Sequence, residues 1–203
     1  MATGEGGLSV RGLVHAPLPE AGAAARRLRE GSFPLPSQPA ADGVPRRARA
    51  VRAGSDLGRQ FDTPLRPSAS ERDRWDELLN RVGRKYNVPP LFLKAVMLAE
   101  SGGDPNAVGD GGHSVGLFQL HDQGYGYGMG DLRFDPEANA DRAARGLADG
   151  WRAALRAGYE GEALVRAAYD YSFNPGGGFA WQGDRVVAIL NELLAERGLS
   201  PLA

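Results

Sequence analysis

Residues 90–99, Pro-Leu-Phe-Leu-Lys-Ala-Val-Met-Leu-Ala, are apolar on every side of a helix except at Lys94. A helix with no polar face has no surface it can occupy, so other elements must wrap it and it must run through the middle of a domain. Pro89 and Pro90 mark its start, where a missing backbone amide costs least. Its other end is Glu100, followed at once by a polar, glycine-rich turn.

The segments that could wrap it follow helical periodicity from Ser70 onward. Ser70 is an expected N-cap for a helix carrying Trp75, Leu78, Leu79, Val82 and Tyr86 on one face. Asp135 is expected to cap another, with Pro136 at its first position, running through "EANADRAARGLADGWRAALRAG" and weakened at Gly146 and Gly150. "EGEALVRAAYDY" and the stretch from Asp184 to Arg197 supply two more, and "HSVGLFQL" reads as a short extended segment. Residues 70–203 are therefore expected to form one mostly α domain.

Residues 1–69 have a different texture. Breakers recur in "APLPEAG", "SFPLPSQPAADGVPRR" and "DTPLRP", and too little apolar surface is present to fold alone, so an extended arm ordered by a protein partner is expected. Met1 to Ser70 carries ten arginines against six acids, yet the whole chain has a net charge of −1. Arginines without interleaved aromatics make no base-stacking surface, so no nucleic-acid partner is expected. With no cysteine, disulfides and thiolate metal sites are excluded. The first residues lack a positive n-region and an apolar core, so no secretory signal is expected, and no run is long enough to insert in a membrane.

Glu100 is the candidate for chemistry. At the C-terminal end of an apolar helix, both the helix dipole and the surroundings disfavour a carboxylate, so its pKa should rise. A carboxyl group protonated near neutral pH can protonate a glycosidic oxygen. The plainer alternative is a glutamate that ends the helix and points into water.

Glu100-Ser101 is followed, sixteen residues after the glutamate, by Gly116-Leu117-Phe118-Gln119, then by Asp135-Pro136-Glu137-Ala138-Asn139 and by an Asn-x-Gly element at Asn174. This series resembles the lysozyme-like family of soluble lytic transglycosylases and goose-type lysozymes over about residues 75–190. The resemblance implies a lysozyme-like domain with a small β-hairpin region and an activity that cleaves the β-1,4 bond between N-acetylmuramic acid and N-acetylglucosamine of peptidoglycan glycan strands. It makes Glu100 the general acid/base, with Ser101 bracing the turn beside it. Gly116 and Gln119 would line the cleft wall, unless that segment is simply a buried hairpin strand. The Asp135 motif is expected to be structural.

The last motif departs from the family's Ala-Tyr-Asn-x-Gly. One register keeps Asn174 and Gly176 but puts Phe173 in the tyrosine position; the other keeps Tyr169 and loses the asparagine. The first is preferred for Asn174, with Tyr169 or Tyr171 supplying a hydroxyl, and either tyrosine could instead be core. A second acid would be needed to hold a water. Asp110 is the first choice, with Asp104 and Asp122 as others; failing one, the substrate's own 6-hydroxyl attacks and gives a 1,6-anhydro product, with the N-acetyl group assisting.

His113, His121 and Asp122 lack the spacing of a helical ligand pair, so neither metal nor cofactor is expected. "GYGYGMG" is not a phosphate loop; its tyrosines are candidates to stack on sugars, and Trp75, Trp151 and Trp181 are expected in the core or at a cleft rim. Two roles fit the whole: an enzyme carried in a phage particle or handed to the wall by another lysis or secretion system, or an inactive virion structural protein whose arm mediates assembly.

Overall fold

The computed structural model describes residues 64–66, 70–175 and 178–203. The expected extended arm and its expected partner-binding role fall on residues that, apart from 64–66, lie outside those described. Five helices dominate: α1 (Asp76–Tyr86), α2 (Pro90–Ser101), α3 (Pro136–Arg156), α4 (Gly161–Phe173) and α5 (Ala180–Ala195). Between α2 and α3 lies a small antiparallel sheet of β1 (Val108–Gly109), β2 (Ser114–Val115) and β3 (Leu120–His121), paired in sequence order. The fold is mostly α with a small antiparallel β region, as expected.

The apolar helix α2 is at the centre. Residues 91–98 are all buried, and α1 and α5 pack on it. Pro90 occupies its first turn and Gly102, at φ 67°, ends it in the left-handed conformation that glycine adopts without steric cost. Lys94 is the exception to its apolar character and is itself fully buried. Its ammonium is bonded to Asp73 and, at 2.6 Å, to Asp76, which is equally buried. The buried ammonium is thus faced by two carboxylates, the pairing that offsets the cost of taking such a group out of water.

Three boundaries differ from the sequence expectation. Ser70 caps only a 3-10 turn at Glu71–Asp73, accepting from the Arg72 amide, and α1 starts at Asp76. Helix α5 starts at Ala180, before Asp184. The domain also begins ahead of Ser70: Leu65, placed in the arm by composition, is 2% exposed, and its amide and carbonyl are both bonded by the Asn80 side chain at 2.9 and 2.8 Å.

Gly146 and Gly150 do not weaken α3 visibly; the helix passes through both. They are where neighbours press closest. A Cβ on Gly146 would sit 2.4 Å from the Tyr125 ring, and one on Gly150 would sit 2.0 Å from Ser172 Oγ and 2.4 Å from the Ala168 carbonyl oxygen. Gly150 lets α3 and α4 approach more nearly than any larger residue would allow, and Gly146 makes room for the Tyr125 ring.

The buried cluster around Lys94 gives a test. Lys94→Met strands Asp76 without a cation and is expected to cost about 3–5 kcal/mol of unfolding free energy in urea titrations, most of it recovered by Asp76→Leu in the same chain.

Candidate active site

Helix α2 delivers Glu100 to the floor of a cleft lined by Ala99, Glu100, Tyr169, Trp181, Gln182 and Arg185. The carboxyl keeps a little accessible surface but is enclosed by protein on most sides. The Tyr169 hydroxyl, from α4, donates to Glu100 Oε1 at 2.8 Å. Burial drives the Glu100 pKa up to about 7; the Tyr169 hydrogen bond and the Arg185 charge pull down against it, and the Asp110 charge adds to the rise. Such a group is protonated in a useful fraction of molecules at neutral pH and can both give and take a proton. Burial, with the Glu100 charge beside it, also raises the Tyr169 pKa, so its proton stays in place to hold the carboxyl.

Tyr169 is the tyrosine that reaches Glu100, and Tyr171 is not. Tyr171 turns away to Tyr159, their rings 6.4 Å apart. Of the two tyrosines offered for the hydroxyl, Tyr169 is therefore the one that supplies it. Asn174 is buried and its amide lies 3.3 Å from Asp170 Oδ1, one turn back on the same helix, so its bond is to its own helix end and not to Glu100. Tyr169, Phe173 and Tyr125 form a file of rings, with centroids 5.9 and 5.3 Å apart, that fixes the tilt of the phenol. Tyr125 is thus packed into the domain, whereas Tyr127 is exposed.

Ser101 joins the end of α2 to the hairpin. Its hydroxyl lies 2.8 Å from the Leu117 carbonyl oxygen and 3.3 Å from that of Met97, and it accepts from the Gly103 amide at 3.1 Å. Gly116 to Gln119 form the turn between β2 and β3, not a strand. The close approach that Gly116 permits is to its own chain: at φ 80°, a Cβ there would stand 2.3 Å from the Arg133 carbonyl oxygen and 2.4 Å from Asn139 Nδ2. Gln119 also departs from the expected role. It holds φ 45°, an unusual angle for a residue with a side chain, and its amide nitrogen donates to the Ala107 and Gly116 carbonyls at 3.1 Å each, so both protons are spent on the turn.

Asp110 lies in a turn between β1 and β2, exposed, with the Ser114 hydroxyl donating to it at 2.5 Å, and its charge is felt at Glu100. Asp104 accepts from the Asn106 amide in its own turn, and Asp122 pairs with His113. Neither comes to Glu100 in any contact of the site.

Sequence reasoning gave no role to two residues, Asn139 and Arg185. Asn139 is fully buried, accepts from the Phe118 amide at 2.9 Å and donates to the Val115 and Arg133 carbonyls at 3.1 and 2.6 Å; it ties the hairpin turn to α3. It closes the motif whose Asp135 was read as a helix cap, which Asp135 is, accepting from the Ala138 amide at 2.8 Å. Arg185 comes from α5, and its only signal was a polar side on a helix read for its apolar one. Trp181, on the same helix and 57% exposed, stands at the cleft, one of the two places expected for it. Of the other tryptophans, Trp151 packs on Phe92 and Trp75 donates to the Gly103 carbonyl at 2.9 Å.

Since the folded state raises the Glu100 pKa from 4.5, its contribution to stability is complete below pH 4.5 and is lost as pH rises through about 7. Glu100→Gln is accordingly expected to be more stable than the parent at pH 8, with the gap closing toward pH 4.5, in urea titrations across that range. Tyr169→Phe removes the hydrogen bond that favours the carboxylate and is expected to move the Glu100 midpoint up by about one pH unit in carboxyl NMR titrations.

Residues 77–176 match the family model described as the transglycosylase SLT domain. Among the curated proteins no match is found. The matched stretch holds Glu100, Ser101, the hairpin, Asp110, Tyr169 and Asn174, and ends before Trp181 and Arg185. The domain that carries Glu100 belongs to the transglycosylase SLT family, lysozyme-like proteins whose members are lytic transglycosylases that cleave glycosidic bonds of peptidoglycan.

Proposed function

We propose that this protein is a lytic transglycosylase in which Glu100 serves as the single general acid/base at the β-1,4 bond between N-acetylmuramic acid and N-acetylglucosamine. The observation that carries this reading is the enclosed Glu100 carboxyl, with its pKa near 7 and the Tyr169 hydroxyl 2.8 Å from Oε1. In the first step Glu100 gives its proton to the glycosidic oxygen, the bond from that oxygen to C1 of the muramic acid breaks, and the carbonyl oxygen of the neighbouring N-acetyl group closes on C1. In the second, the Glu100 carboxylate takes the proton of the 6-hydroxyl, whose oxygen replaces the N-acetyl oxygen at C1. The 1,6-anhydro product leaves and Glu100 is protonated again.

Tyr169 orients the carboxyl and favours its charged form between the two steps. Arg185 stabilises the same form from across the cleft, and Trp181 presents an exposed ring at the rim for a sugar face. The choice of transglycosylation over hydrolysis rests on the family and on Asp110, the first candidate to hold a water, which stands in an exposed turn bonded to Ser114.

We extend the proposal to delivery. Residues 1–69 would bind a carrier, phage structural proteins being the candidate, and the carried enzyme is favoured over an inactive virion protein because Glu100 keeps an enclosed carboxyl bonded by Tyr169.

Mass spectrometry of muropeptides released from purified peptidoglycan tests the reaction. The parent chain is expected to release anhydro-muropeptides, Glu100→Gln at least about 1,000-fold fewer, and Tyr169→Phe about 10-fold fewer. Reducing ends in place of anhydro ends would overturn the transglycosylase assignment in favour of a hydrolase, and unchanged release by Glu100→Gln would remove Glu100 from its role.

A further inference from the structure

The hairpin brings together three side chains that the cleft does not use. His113 stands just ahead of β2 and His121 ends β3; their rings stack with centroids 5.4 Å apart. Asp122 reaches both, with Oδ2 3.0 Å from His113 Nδ1 and Oδ1 3.4 Å from His121 Nδ1. One donor atom from each of the three lies within 4.8 Å of the others. Two ligands each about 2.1 Å from a tetrahedral ion stand roughly 3.4 Å apart, close to the 3.0 and 3.4 Å that separate the two Asp122 oxygens from the two imidazoles, and small shifts within the 4.8 Å set would bring all three donors to one ion.

Two details show that these atoms are prepared for a ligand. Asp122 Oδ1 is shut off from solvent and has no hydrogen-bond donor. The Gln123 amide donates to His121 Nδ1 at 3.1 Å, so that nitrogen carries a lone pair and not a proton, and an arriving ion would take the pair the amide now shares. The outer edges of all three side chains remain open, from 37% to 52% exposed, which leaves room for an ion and for water to complete its coordination.

We propose that His113, His121 and Asp122 form a binding site for a divalent transition-metal ion of the zinc type. Two imidazoles and one carboxylate suit zinc and its neighbours, whereas magnesium and calcium take sets made of oxygen alone. Arg133 limits the charge the site accepts. Its guanidinium donates to the His113 carbonyl at 2.6 Å and to the Leu120 carbonyl at 3.2 Å, and so places a fixed cation beside the cluster. The ion would pin the open end of the hairpin whose turn, at its other end, rests on Ser101 beside Glu100. Its effect would be on the cleft wall, and the site stands whatever reaction Glu100 performs.

Isothermal titration of the full chain with zinc chloride at pH 7.5, in a buffer that does not chelate, tests the site. One ion per chain is expected, with no comparable heat from calcium or magnesium. His113→Ala and His121→Ala should each weaken binding more than about ten-fold, while His15→Ala, at the third histidine of the chain, leaves it unchanged. Zinc should also raise the melting temperature of the parent and not that of His121→Ala. If an alanine variant loses its native circular dichroism, the glutamine variants at the same positions carry the comparison. Absence of zinc binding, binding that survives both hairpin substitutions, or binding lost with His15→Ala would overturn the proposal.

Discussion

A helix buried on all sides carries two ionisable groups, six residues apart, and the domain treats them in opposite ways. Lys94 is met by Asp73 and Asp76 and is paired within the core. Glu100 receives a neutral hydroxyl and a cation held across the cleft, which leaves the cost of its desolvation only partly offset. The first arrangement gives up reactivity for order, since a paired ion inside the core specifies how α1 must sit on α2. The second keeps a proton available. One constraint, the burial of α2 from Leu91 to Leu98, produces both the scaffold and the surroundings of the reactive group.

The hairpin depends on that helix as well. Ser101 holds the Leu117 carbonyl from one side and Asn139 holds the Phe118 amide and Val115 carbonyl from the other, so a sheet with strands of two residues is fixed by side chains more than by its own ladder. Gln119 and Asp110 both adopt left-handed backbone angles there, and each is stabilised by bonds from its side chain. The residues that resembled sugar contacts in the sequence are in this sense the fasteners of the wall. That distinction concerns where amide protons point, and no spacing pattern encodes it.

What the sequence disclosed follows the same division. The helices were legible because a buried face imposes a period, and Glu100 stood out because a glutamate at the end of an apolar helix conflicts with its surroundings. Asp135 announced itself by the local chemistry of a cap. Tyr169 and Tyr171 could not be separated, since they differ by two positions on one helix and only the packing of Phe173 and Tyr159 decides which faces Glu100. The contact of Leu65 with Asn80 was invisible for a similar reason: a single apolar residue among prolines and arginines has no period, and its burial depends on a partner fifteen positions away. His113 and His121 were read by helical spacing, whereas their meeting is a property of strand register.

The Leu65 clasp has a mechanical meaning. Any tension carried by the preceding residues enters the domain there, through two hydrogen bonds to Asn80 and one buried leucine on α1. Glu100 sits on the next helix, and the load would be spent on the clasp before it reached the geometry of the cleft. A domain tethered by its front end could in this way be tugged against a wall while its cutting edge stayed true.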